Sequence, residues 1–140
     1  MIELNNISFS YENESKTGQL TNINLKIPTG QVVLLCGESG CGKTTLTRLI
    51  NGLIPNYFEG KLTGTVSVNG EVISDKPLYD IAPLVGSVFQ NPRSQFFAVD
   101  TNSELAFGCE NLGLPISKIE NRMKKVVLDL SYARAESTRS

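Results

Sequence analysis

The sequence predicts an α/β fold, and three observations predict it. A short apolar run over residues 31–36 leads into a glycine-rich stretch, Gly37 to Gly42, and on into a helix-like segment from Lys43 to Ile50. Asn69-Gly70 joins two alternating segments as a hairpin turn does. After Thr101 and Ser117, apolar residues recur at helical spacing. The expected architecture is a strand–loop–helix core with an antiparallel β subdomain and the start of a helical subdomain.

In order, Ile2 to Tyr11 reads as a strand on Leu4, Ile7, Phe9 and Tyr11, and Glu12 to Gly18 as a polar loop. Leu20 to Ile27 is a second strand, with Ile23, Leu25 and Ile27 on one face, and Pro28-Thr29-Gly30 is a turn. The run over 31–36 has the pattern of a strand buried on both faces. Thr44, Leu46, Leu49 and Ile50 fit one helix, with Asn51-Gly52 as its stop. Leu53 to Gly64 is irregular. Thr65 to Val68 and Glu71 to Ile73 flank the hairpin turn, because Asn-Gly supplies the positive φ angles of a type I′ turn. Leu84 to Phe89 is a further strand candidate and Gln90 to Gln95 a polar loop. Thr101-Asn102-Ser103-Glu104 and Ser117-Lys118-Ile119-Glu120 match capping boxes. Behind the second, Ile119, Met123, Val126, Val127 and Leu130 form one stripe, which reads as packing. Past Leu130 little remains to bury.

Composition narrows the function classes. At 140 residues the chain has the length of one ordinary domain, with 40% hydrophobic residues. Thirteen Lys and Arg against 14 Asp and Glu leave a net charge of −1, so no basic excess points to nucleic acid. No apolar stretch approaches the roughly 20 residues of a membrane span, and the N-terminus reads as no signal peptide, so a cytoplasmic setting is expected. Cys36, Cys41 and Cys109 lack metal-ligand spacing, and the absence of histidine excludes His-based metal sites and triads. Cys36 and Cys109 are expected in the core.

Gly37-Glu38-Ser39-Gly40-Cys41-Gly42-Lys43-Thr44 satisfies G-x-x-x-x-G-K-[ST]. Glycines let the backbone curl so that N–H groups converge on phosphate oxygens, and the helix starting near Lys43 adds its dipole. Lys43 is expected at the β- and γ-phosphates and the Thr44 hydroxyl on Mg²⁺, with Thr45 a donor to the α-phosphate. A mere connecting turn needs neither the lysine nor the threonine. Glycines at 37, 40 and 42 reverse the dinucleotide fingerprint, which disfavours NAD. A P-loop NTPase core is therefore expected. Cys41, at a helix N-terminus inside the loop, is either a reactive thiol, whose alkylation blocks nucleotide binding, or a small residue filling a tight turn.

Taken together with the elements around it, this loop gives a sequence that resembles the ATP-binding subunit of ABC transporters over roughly Ile2 to Leu130. The resemblance rests on Phe9-Ser10-Tyr11, the phosphate loop, the hairpin after its helix, and Val88-Phe89-Gln90-Asn91-Pro92, which is similar to that family's glutamine loop. Asn91-Pro92-Arg93-Ser94-Gln95 and the segment Glu104 to Gly113 look most like the energy-coupling-factor branch, which energises uptake of vitamins and metal ions such as cobalt or nickel. A small-molecule kinase fits the order of strands, hairpin and glutamine loop poorly.

The resemblance implies ATP and Mg²⁺ as cofactors, a second ATP-binding subunit and a transmembrane subunit as partners, and a peripheral place on the cytoplasmic face of the plasma membrane. It implies that Tyr11 stacks on adenine, the alternative being an edge aromatic covering the core. It places Gln90 near Mg²⁺ and the attacking water. Gln95, Phe96 and Phe97 would lie near the groove for the partner's coupling helix, although paired phenylalanines are as readily core anchors. The family's Leu-Ser-Gly-Gly-Gln signature, its aspartate–glutamate pair and its switch histidine have no counterpart here: Leu130-Ser131 runs into Tyr132. Residues 1–130 are thus expected to be the N-terminal portion of such a domain and 131–140 an atypical tail. The chain alone is expected to bind MgATP without hydrolysing it. A buried strand at Val32 to Leu35 without neighbours predicts marginal stability or aggregation.

Overall fold

The computed structural model describes residues 1–12 and 17–137, with the backbone alone for 132–137. These fall into two compact units, Met1–Ser87 and a second starting at Val88. The first is built on a sheet of β1 (Ile2–Tyr11), β2 (Leu20–Ile27), β3 (Gly60–Val68) and β4 (Glu71–Val72), in the order β2-β1-β3-β4. Every pairing among the described residues is antiparallel.

The inward residues of β1 are Leu4, Ile7 and Phe9, an odd step that a flat strand of period two cannot point to one face. A register shift between Leu4 and Ile7, with Asn6 at φ 50°, inserts the extra residue that turns Ile7 back inward. β2 has the same irregularity between Leu20 and Ile23, with Asn22 at φ 48°. Asparagine tolerates this left-handed backbone better than most residues. The two bulges are tied: Asn6 N–H donates to Asn24 Oδ1 and Asn22 N–H to Ser8 Oγ, both at 2.9 Å.

The hairpin forms as expected, with Asn69 at φ 52° and Gly70 at φ 80°. The strand before it starts earlier than its sequence suggests, because Gly60 to Thr63 pair with Tyr11 to Ser8 inside what reads as irregular chain. α1 (Lys43–Ile50) lays Leu46 and Leu49 on the sheet, and α2 (Leu53–Asn56) and α3 (Leu78–Ile81) add Ile54 and Ile81 to the same core. Burying each such side chain contributes roughly 1.5–3 kcal/mol.

Residues 31–36 correct the expectation of a buried strand. They form no strand, and Val32 and Leu34 are 101% and 84% exposed. A strand buried on both faces needs a hydrogen-bonded neighbour on each side. None of the strands in the described sheet pairs with this run. Cys36 is accordingly exposed rather than in the core. The same reason removes the strand expected over 84–89, where Val88 and Phe89 are exposed.

The second unit holds a 3-10 turn (Pro92–Gln95), α4 (Thr101–Asn111) and α5 (Ile116–Ser137). α4 is capped one residue earlier than its capping box implies: Asp100 accepts from Ser103 N–H at 3.0 Å and from the Ser103 hydroxyl at 2.6 Å. Glu104 instead accepts from Phe97 N–H and Ala98 N–H, at 3.0 and 2.8 Å. Ser117 likewise lies inside α5, whose first turn closes on the Pro115 carbonyl. α5 runs unbroken past Leu130.

Candidate functional site

The loop from Gly37 to Gly42 joins the exposed run to α1. Gly42 takes the N-cap position of α1 at φ 99°, and no side chain caps the helix. The first amides of α1 therefore point into the loop without an intrahelical partner. Space as well as φ demands glycine here: a Cβ on Gly42 would meet Leu20 Cδ2 at 2.7 Å, and one on Gly40 would meet Thr17 Cγ2 at 2.9 Å. The chain just before β2 thus backs the loop, and Gly18 N–H donates to the Gly40 carbonyl at 3.0 Å.

Lys43 turns its ammonium into the loop. Nζ donates to the carbonyls of Gly37 and Glu38, at 2.7 and 2.6 Å, and lies 3.5 Å from Cys41 Sγ. The Glu38 carbonyl also accepts from Cys41 N–H at 3.3 Å. One charge therefore sits inside a ring of backbone, beside the start of a helix. An anion entering the ring meets both the cation and the amides. Ser39 and Cys41 are exposed in the same loop, as is Thr44 one residue into α1. Magnesium ordinarily takes one or two protein oxygens and the rest from phosphates and water, so the exposed Thr44 hydroxyl fits that requirement.

Thr45 is placed differently. It is buried, and its Oγ1 lies 3.1 Å from the Tyr11 hydroxyl. Tyr11, half-buried at the end of β1, has Phe9 edge-on at 4.8 Å and receives a hydrogen bond from Arg48 Nη1 at 3.0 Å. Sequence reasoning missed Arg48 and its neighbour Phe58. A signal existed: Arg48 follows Thr45 by three residues, so both lie on one helical face.

The first unit thus gathers Tyr11, Gly37 to Thr44 and Thr45 about the start of α1. Gln90 belongs to the second unit, exposed in a bend before the 3-10 turn, where Phe89 N–H donates to Gln95 Oε1 at 3.3 Å. Phe96 and Phe97 are exposed rather than core anchors, and Phe97 stacks on Phe107 at 5.2 Å. Among the described residues no three acidic, cysteine or histidine side chains cluster as metal ligands, and no helix is long and apolar enough to cross a membrane.

A glycine loop closed around a lysine ammonium at an uncapped helix start defines a protein of the P-loop class. Within that class, the family model described as ABC transporter matches residues 20–139, and the chain belongs to that family. It is 56% identical over 130 residues to an ABC transporter ATP-binding protein of Treponema denticola, covering 93% of this chain and 26% of the relative. It is 38% identical over 143 residues to the energy-coupling factor transporter ATP-binding protein EcfA1 of Ligilactobacillus salivarius, covering 99% of this chain and 48% of that protein. The EcfA1 of Enterococcus faecalis is similar at 35% identity, with 99% and 49% covered. The chain spans about a quarter to a half of the length of these relatives.

Proposed function

We propose that the chain engages MgATP as the phosphate-loop portion of an ATP-binding subunit in an energy-coupling-factor type importer of small solutes. The observation that carries the reading is the Lys43 ammonium, 2.7 and 2.6 Å from two carbonyls of a loop that opens on the uncapped start of α1. In this reading the amides of Gly37, Glu38, Ser39, Gly40, Cys41 and Gly42 face the β- and γ-phosphates. Lys43 exchanges its carbonyl partners for phosphate oxygens. Thr44 gives Mg²⁺ one oxygen ligand, and that ion, when bound, offsets phosphate charge. Tyr11 stacks on adenine. Thr45 reaches the α-phosphate by exchanging its bond to Tyr11. Gln90 approaches the metal and the attacking water. In the same reading the partners are a second ATP-binding subunit and a transmembrane subunit, with the chain peripheral on the cytoplasmic face of the membrane; the names of the relatives support the transporter part of it. Residues 1–130 supply this part of the nucleotide-binding domain.

A second reading is a nucleotide-holding module without turnover. It applies to these 140 residues by themselves, which include no histidine and no aspartate–glutamate pair after an apolar strand to orient water. Calorimetric titration with MgATP tests the first reading. Lys43→Ala should weaken binding by roughly tenfold or more, since a hydrogen bond to a charged group contributes about 1.5–3 kcal/mol. Unchanged affinity in that variant overturns the phosphate-loop assignment. Steady-state phosphate release tests the second: no turnover by the 140 residues is expected, and turnover abolished by Lys43→Ala would refute the binding-only view.

A further inference from the structure

We infer that Arg48 is a positioning residue for recognition of the nucleotide base, acting through the Tyr11 hydroxyl; this rests on the assignment of Tyr11 to adenine made above. Arg48 leaves α1 one turn after Thr45. Its guanidinium carbon lies 3.8 Å from the Phe58 ring centroid, and Nη1 donates to the Tyr11 hydroxyl at 3.0 Å. Among the described residues no carboxylate pairs with it. Its charge is therefore directed at one aromatic face and one hydroxyl. Stacking on Phe58 holds the planar fork in orientation, which a flexible ammonium would not match.

The hydroxyl it holds has a second partner. Tyr11 Oη and Thr45 Oγ1 are 3.1 Å apart, so the hydroxyl accepts from Arg48 while sharing a proton with Thr45. Phe9 and Phe58 stand edge-on to the ring, at 4.8 Å and 85° and at 6.4 Å and 86°. Packing alone would be met by phenylalanine at position 11. A hydroxyl with two partners, both on the helix that also carries Lys43 and Thr44, does more, and when Thr45 turns to the α-phosphate the bond from Arg48 remains. It fixes the tilt of the ring relative to the phosphate loop, and so the distance between base and triphosphate that the site accepts.

The test compares ATP with inorganic tripolyphosphate, both with magnesium, by calorimetry on the full chain. Tyr11→Ala should weaken ATP roughly fivefold or more, the low end of a lost base–aromatic stack, and leave tripolyphosphate within about twofold. Arg48→Met should weaken ATP about two- to tenfold, again sparing tripolyphosphate. In a Tyr11→Phe background, Arg48→Met should cost nothing further. If Tyr11→Ala leaves ATP binding unchanged, the base assignment fails and the role of Arg48 with it. If Tyr11→Ala weakens ATP but Arg48→Met does not, the base assignment stands and the positioning role is overturned. Equal weakening of both ligands by Arg48→Met, or an undiminished effect in the Tyr11→Phe background, also overturns it.

Discussion

Cys41 Sγ lies 3.5 Å from Lys43 Nζ, and a Cβ placed on Gly37 would approach it to 2.7 Å. The thiol therefore borders the inside of the loop, and an alkyl group on it would crowd the space where phosphate would go. Alkylation of Cys41 is expected to abolish MgATP binding, and prior saturation with MgATP to protect it. Cys36 is exposed as well, so the measurement belongs in a Cys36→Ser, Cys109→Ser background, by mass spectrometry and calorimetry together. An adduct at Cys41 that leaves affinity intact contradicts this geometry. At this scale the sequence was highly legible: eight consecutive residues of the phosphate loop carry their spacing in plain view. Thr45 was not, because its motif position says nothing of the β1 residue that its hydroxyl meets. That meeting joins residues 34 positions apart, and only tertiary structure brings them together.

The elements divide by where their hydrogen bonds come from. β1, β2 and α1 have the bounds their patterns predict, since their partners lie within the first unit. The runs over 31–36 and 84–89 have the apolar character of strands but no neighbour to pair with among the described residues, and hydrophobicity alone does not make a ladder. The start of α4 offers a test of element chemistry. The Ser103 hydroxyl, and then its backbone N–H, hold the Asp100 carboxyl below the usual carboxylate range. A carboxyl with a lowered folded pKa stabilises above its unfolded value, about 3.9, and loses that contribution as pH falls through the folded value. Exchange of the Ser103 amide should therefore quicken, relative to the random-coil rate, as pH drops below about 4. Asp100→Asn should keep the cap and flatten this dependence, and Asp100→Ala should lose protection at every pH. An identical profile for all three would mean that the cap does not hold the helix start.

For the whole molecule, the apolar surface matters most. Val32, Leu34, Val88, Phe97 and Val99 are all largely exposed, a composition that favours self-association. The 140 residues are expected to bind a hydrophobic dye and to associate as concentration rises, followed by sedimentation velocity. Val32→Lys with Leu34→Glu should reduce association. It should shift Tm by no more than about 2–4 °C, because surface changes of this kind stay within roughly 0.5 kcal/mol each. A monomeric, dye-free wild type, or a much larger loss of Tm in the variant, would show that this run is packed.

The setting of Tyr11 has a practical outcome. With no tryptophan and four tyrosines, the chain has an intrinsic emission that is wholly phenolic. Tyr57 and Tyr79 stand in water, each 75% exposed, whereas Tyr11 is hydrogen-bonded to Arg48 and Thr45 beside two phenyl rings. A purine settling on that ring would quench one fluorophore and leave the exposed pair alight. Replacing Tyr57, Tyr79 and Tyr132 by phenylalanine would leave Tyr11 as the one tyrosine, and occupancy of the proposed adenine site would then be readable without any added label.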